Sequence, residues 1–250
     1  MGIGIGDYDS DGDQDIAVSN VSNTIPNRFL RGDLTDEQVI IQEWVMLRND
    51  GNRVFTDVAL ETGLTRHGFG WGIVFEDLNL DGDLDVLAGQ SYVKWPPHSI
   101  SPLPGRAMLQ TKTEEGRKFL NALGLNLPNP NFGQSAVIAD LNGDAKQDVV
   151  WINMNGPVIA SLNEHASDVI TLAVPENAKW LAARVTAVTD SGRSYTREVN
   201  NAVGMQTDQS PHISFAIPEN GNIDRLEVAF ADGSATTIIP GRPGLVEPQP

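Results

Sequence analysis

Three short stretches carry the residues best suited to chemistry: "DYDSDGDQD" from Asp7 to Asp15, "DLNLDGDLD" from Asp77 to Asp85, and "DLNGDAKQD" from Asp140 to Asp148. The first, third, fifth and ninth positions of each are Asp or Asn. They are Asp7, Asp9, Asp11 and Asp15, then Asp77, Asn79, Asp81 and Asp85, then Asp140, Asn142, Asp144 and Asp148. Carboxylates at this density repel one another unless a cation lies among them. Oxygen ligands at alternate positions of a curled loop suit calcium, with the seventh position offering its backbone carbonyl. That position is Asp13, Asp83 or Lys146. Gly12 and Gly82 permit the sharp turn at position six. Ala145 stands there in the third loop, where a left-handed backbone would cost about 1 kcal/mol. The third loop is therefore ranked the weakest. One calcium per loop, up to three in all, would bring the formal net charge from −16 to −10.

Such loops need rigid supports, and the flanks repeat accordingly. The loop starts lie 70 and 63 residues apart. Two residues before each leading Asp stands Ile5, Phe75 or Ile138, and directly after position nine stands Ile16, Val86 or Val149. Each unit reads as a short apolar strand, an acidic loop and a β-branched strand. Phe69-Gly70 and Phe132-Gly133 precede the second and third loops; only six residues precede the first. An EF-hand needs a bidentate Glu at position twelve and flanking helices. Val18, Ala88 or Trp151 occupies that position, so EF-hands are excluded. The spacing is also too long for calcium-binding nonapeptide β-rolls. Metal-free Asp/Gly turns are the simpler reading, but three copies in register with shared flanks weigh against it.

At "FGWGIVFEDLNLDGDLDVLAG", residues 69 to 89, the chain resembles an FG-GAP/VCBS repeat, the blade unit of integrin-alpha-type β-propellers. The Phe-Gly pairs, the Asp loop and the blade-length spacing carry the resemblance. It implies that each loop joins the first two strands of a four-stranded blade, and that calcium is structural. "NRVFTDVALETGL", residues 52 to 64, is similar to the stretch between repeats in secreted members of the family.

Beyond about residue 165 the pattern changes. Residues 181 to 199 read as two strands around Asp190-Ser191-Gly192-Arg193, and residues 223 to 239 as two around Ala231-Asp232-Gly233-Ser234. Leu226, Val228 and Phe230 alternate as in a half-buried strand. "NAKWLAARVTAV", "GRSYTREVN" and "IDRLEVAFADG" resemble the ASPIC/UnbV domain, which follows FG-GAP repeats in cartilage-acidic-protein-like proteins. Phe230-Ala231 stands where that family usually has Trp-Pro, and "HISFAI" where it often has a His-Phe-Gly-like stretch.

Composition bounds the partners. With 250 residues, 40% hydrophobic and 20% charged, the chain can build a real core. A net charge of −16 argues against nucleic acid and anionic lipid. The chain has no cysteine, so disulfides and thiol chemistry are absent. No apolar run is long enough to span a membrane, and no signal peptide is visible at the start. His67, His98, His165 and His212 are scattered, and no hydrolase, phosphate-loop or dinucleotide motif occurs. "GIGIG", residues 2 to 6, reads as a strand of small residues rather than a phosphate loop. Arg31-Gly32-Asp33 is a short adhesion-type tripeptide, and Asn20-Val21-Ser22 is a glycosylation sequon. The proline-rich stretch from 94 to 105, with Trp95 and His98, reads as a rigid connector rather than a partner surface.

The expectation is an all-β chain: a partial β-propeller over residues 1–165 and a small antiparallel β module over 170–250. Its expected role is a non-catalytic, calcium-binding scaffold, extracellular, periplasmic or on the cell surface, for adhesion or binding to a protein or glycan. The competing expectation is the platform of a polysaccharide-acting enzyme. Three loops are few for a closed propeller, and the first repeat lacks its Phe-Gly pair. The chain is therefore expected to begin within a blade, to lack upstream blades, and to leave strand edges open near residue 1 unless something covers them.

Overall fold

The computed structural model describes the chain apart from residues 23, 27–31, 33, 36, 91–102, 123, 128, 155, 201 and 249–250. Arg31-Gly32-Asp33 and the connector with Trp95 and His98 fall outside the described residues. Described helix is confined to α1 (Ala59–Thr62) and a 3-10 turn at Ala178–Trp180.

The first sheet holds β1 (Ile3–Gly6), β2 (Asp15–Val18), β3 (Val45–Asn49) and β4 (Phe55–Asp57) in sequence order. The second repeats this meander with β5 (Gly70–Glu76), β6 (Asp85–Gln90), β7 (Arg106–Thr113) and β8 (Gly116–Asn121). The third has three described strands, β9 (Gly133–Ala139), β10 (Asp148–Asn153) and β11 (Ile159–Ser161). Every pairing in these sheets is antiparallel. The blades pack face to face as a partial propeller, with none of the sheets closed on itself.

The middle blade buries both faces, which is why β5 and β6 read as unbroken apolar runs rather than alternating ones. Ile73, Phe75, Val86 and Ala88 turn to the first blade, where they meet Trp44, Met46 and Leu64. Val74 and Leu87 turn to the third, where they meet Ile138, Val149 and Trp151. The "GIGIG" stretch has a packing reason. A Cβ on Gly4 would stand 3.2 Å from the Ile73 carbonyl oxygen, and one on Gly2 would stand 2.7 Å from the Gly72 Cα. The small residues let β1 lie flush on β5.

The first blade has four described strands, its β1 shorter than the equivalent β5. Ile3–Gly6 is its first strand, registered on β2 from Ile3–Val18 to Gly6–Asp15. The free edge of β1 is partly covered by the chain itself. Ile3 and Gly204 exchange backbone hydrogen bonds of 3.3 and 2.9 Å. The same segment continues along β9: the Ile138 amide donates to Gln209 Oε1 at 2.8 Å, and the Ser210 amide donates to the Ile138 carbonyl at 3.1 Å. Gly204 lies 201 residues from Ile3, and Gln209 lies 71 from Ile138, beyond the reach of local patterning.

The C-terminal module is two stacked sheets. One orders β15 (Ile213–Ala216), β12 (Val169–Leu172) and β18 (Gly244–Val246), with β12 and β18 parallel. The other orders β14 (Ser194–Glu198), β13 (Arg184–Thr189), β16 (Ile223–Ala229) and β17 (Ala235–Ile238). Leu172, Trp180, Val185, Phe215, Leu226, Val228 and Phe230 fill the space between them. Both hairpins stand where the turn residues put them. Edge strand β14 faces the propeller.

Candidate metal centre

The acidic loops join β1 to β2, β5 to β6 and β9 to β10, at equivalent places in the three blades. Each is held by similar internal bonds, the third taking the position-four amide in place of position five. The position-one carboxylate accepts backbone N–H groups across the turn. Asp7 takes those of Asp11 and Gly12 at 3.0 and 3.1 Å, and Asp77 those of Asp81 and Gly82 at 3.0 and 2.8 Å. Asp140 takes those of Gly143 and Ala145 at 2.7 and 2.8 Å. The position-five carboxylate accepts the position-seven amide: Asp13 to Asp11, Asp83 to Asp81 and Lys146 to Asp144, at 2.8, 2.9 and 3.0 Å.

The position-nine aspartates are bound into the backbone of their blades. Asp15 accepts the amides of Tyr8 and Asn49 at 3.0 and 2.8 Å. Asp85 accepts those of Leu78 and Gln110 at 3.0 and 2.7 Å. Asp148 accepts those of Leu141 and Asn163 at 2.8 and 2.7 Å. In every repeat this residue ties the loop to the third strand or the segment just beyond it. Asn49, Gln110 and Asn163 were not singled out in the sequence; a polar residue recurring at that blade position is the one signal that could have found them.

The position-six expectation holds in detail. Gly12, Gly82 and Ala145 have φ of +94°, +91° and +69°. Ala145 therefore carries the left-handed strain that glycine avoids. Position four is left-handed as well, at Ser10, Leu80 and Gly143, with φ of +64°, +55° and +80°. Ser10 and Leu80 gave no sequence warning of it.

The loops differ in what they leave unpaired. In the first, Asp7, Asp9 and Asp15 place carboxylate oxygens within 4.8 Å of one another, the one such group of acidic or His side chains among the described residues. Asp9 Oδ1 is buried and has no hydrogen-bond partner. In the other loops Asn stands at that position. Asn79 Nδ2 donates to Asp81 Oδ2 at 3.0 Å, and Asn142 Nδ2 to Asp144 Oδ2 at 3.2 Å. An amide can satisfy its neighbour in that way; the Asp9 carboxylate cannot.

Burial dominates the electrostatics. It pushes Asp7 up to about 6 and Asp15 up to about 7, and it raises Asp9. It likewise pushes Asp77 to about 6, and Asp85 to about 8 despite two amide bonds that work the other way. Asp83 is the exception. Burial works upward there too, but bonds from Lys112 and Arg117 outweigh it and hold the carboxyl below its ordinary value. Lys112, Arg117 and Arg193 reach it at 2.7, 2.9 and 3.2 Å. The Asp83 side chain is thus committed to cations of the chain, leaving its carbonyl as the group expected to face an ion. Lys146 is similar: its ammonium donates to the His165 carbonyl at 2.6 Å. Arg117 also donates to the Asp9 carbonyl at 2.7 Å and so links the first two loops.

The donor set is all oxygen, which suits a hard divalent cation and fits calcium better than zinc or copper. The orphaned Asp9 oxygen inside a carboxylate triad is what such an ion would satisfy. The sequon side chain is occupied: Asn20 Nδ2 donates to the Ile41 carbonyl at 2.7 Å, and Oδ1 accepts the Val21 amide at 2.9 Å.

Repeated blades with acidic β1–β2-type loops, followed by a two-sheet module, define a repeat-scaffold protein. Comparison with known families agrees. Residues 7–88 match the FG-GAP-like repeat, and residues 173–242 match the ASPIC and UnbV domain. The chain has the FG-GAP plus UnbV architecture. The third loop lies between the two matched spans, and the shared hydrogen bonds relate it to the others. No curated protein matches the chain.

Proposed function

We propose that this protein is a non-catalytic, calcium-stabilised scaffold that works outside the cell or in the cell envelope, presenting blade and module surfaces to a protein or glycan ligand. One observation carries the metal reading: the Asp7–Asp9–Asp15 group, with a buried Asp9 oxygen that accepts no hydrogen bond. When bound, calcium would supply positive charge and oxygen coordination among these carboxylates. Asp7, Asp9, Asp11 and Asp15, with the Asp13 carbonyl, would hold it in the first loop. The second loop offers Asp77, Asn79, Asp81 and Asp85 with the Asp83 carbonyl. The third offers Asp140, Asn142, Asp144 and Asp148 with the Lys146 carbonyl.

A scaffold role is supported by where the buried acids are spent. Asp7, Asp15, Asp77 and Asp85 all accept backbone amides that shape the turns, rather than standing free in a cleft. No described helix is long and apolar enough to cross a membrane. The test is thermal unfolding with calcium and with EGTA. The melting temperature should fall on chelation, because an ion bound to the folded state alone stabilises it. An unchanged melting temperature, together with no calcium in a mass-spectrometric metal assay, overturns the metal reading.

A further inference from the structure

The eighth position of each acidic loop precedes the buried aspartate, so strand alternation turns its side chain away from that acid. Gln14, Leu84 and Gln147 hold this position, and all three line one cavity of about 90 Å³. Glu76, at the end of β5, lines the cavity from the propeller. Arg197 of β14 and His212, just before β15, line it from the module. Four buried polar atoms on this wall have no hydrogen-bond partner in the chain: Gln14 Nε2, Gln147 Nε2 and Oε1, and His212 Nδ1. Gln147 is only 3% exposed, and an amide buried without partners is costly. The wall also holds opposite charges apart. Glu76 has no ion pair among the described residues. Arg197 donates to the Gly82 and Thr196 carbonyls at 3.2 and 3.1 Å, which leaves other N–H groups of its fork unspent.

We propose that this cavity binds a small zwitterion, an α-amino acid of the size of glycine or alanine, between the blades and the module. Its ammonium would meet Glu76 and Gln147 Oε1. Its carboxylate would meet Arg197 and the amide N–H groups of Gln14 and Gln147. His212 Nδ1 donates to the carboxylate or accepts from the ammonium, according to its tautomer. The volume limits the ligand: it is about three waters' share of the liquid, room for a side chain no larger than a methyl group. Water alone can satisfy the amides and the imidazole. It is neutral, however, and does not answer the charges of Glu76 and Arg197 in a site where burial strengthens every charge contact. A plain amine or a plain carboxylate answers one of the two. None of the six wall residues is expected to offer calcium an oxygen, so this site and the acidic loops stand or fall separately.

The test is calorimetric titration of the full chain in calcium-containing buffer, with glycine and L-alanine as probes. Glycolate, which has no ammonium, and ethanolamine, which has no carboxylate, are the controls of matching size. Glycine or alanine should bind saturably at one site per chain, about tenfold tighter or more than either control. L-Leucine, too large for the cavity, should bind at least about tenfold more weakly than alanine. Gln147→Met keeps the bulk of the side chain and removes both amide atoms. It should weaken the amino acid by about fivefold or more with circular dichroism unchanged. Wild-type selectivity decides the matter by itself if that variant does not fold. No saturable binding of either amino acid overturns the proposal and leaves the cavity to water. Glycolate, ethanolamine or leucine binding as tightly as glycine and alanine overturns it too, as does a folded Gln147→Met with wild-type affinity.

Discussion

Asp85→Ala separates the structural work of the position-nine aspartate from its cost. Asp85 is fully buried and accepts the Leu78 and Gln110 amides at 3.0 and 2.7 Å. Removing it strands two buried N–H groups, a loss of about 1–3 kcal/mol each. Against this stands the acid itself. Burial pushes its carboxyl to about 8, from 3.8 in the unfolded chain. A carboxyl raised in this way favours the folded state below its unfolded value, and that contribution is lost as pH climbs toward the folded one. At pH 5 the native protein loses about 1.5 kcal/mol through this proton, and at pH 7.5 about 5 kcal/mol. The alanine variant escapes both. In EGTA, urea unfolding should therefore show Asp85→Ala less stable than wild type at pH 5. The difference should shrink by roughly 3 kcal/mol by pH 7.5, reaching neutrality or reversing. A difference that stays flat across that range, or grows with pH, refutes the assignment of a buried, proton-holding carboxyl at this position.

The same sign extends to the loops as a group. With Asp7, Asp15 and Asp77 raised to about 6, 7 and 6, the cation-free chain should lose melting temperature steadily from pH 5 to pH 8. Calcium at pH 6 should release protons, measurable as a buffer-dependent heat. Gly12→Ala meets no atom within 4 Å, so it should cost only the left-handed backbone term of about 1–2 kcal/mol. Gly82→Ala has that term plus the collision with Tyr195, so its urea midpoint should fall further and Tyr195 fluorescence should change. Ala145→Gly should lie within about 1 kcal/mol of wild type by urea unfolding, because relief of strain at φ +69° offsets the loss of a buried methyl.

The loops and hairpins were readable because their signals are local. Ligands at every second position, a glycine at the turn and β-branched flanks all fall within a dozen residues. Asp190–Arg193 and Ala231–Ser234 likewise announce their own turns. What escaped depends on partners distant in sequence. Arg117 meets the Asp9 carbonyl 108 residues away, and Arg197 meets the Gly82 carbonyl 115 residues away. The cover on the β1 edge comes from Gly204, 201 residues from Ile3, which no local pattern announces. Each position-nine aspartate takes one amide from its own loop and a second from Asn49, Gln110 or Asn163, 34, 25 and 15 residues away, and that second tie leaves no local mark. Ser10 and Leu80 adopt left-handed backbone with no glycine to mark it; the surrounding hydrogen bonds impose the turn.

The central claim is that the first loop is a cation site built around Asp9. Calorimetric titration of calcium into the EGTA-stripped chain, with Asp9→Ala beside wild type, tests it most directly. Saturable binding by wild type that loses a site in Asp9→Ala, with the variant's circular dichroism unchanged, is the predicted result. No binding by wild type, or the same number of sites in both proteins, contradicts it.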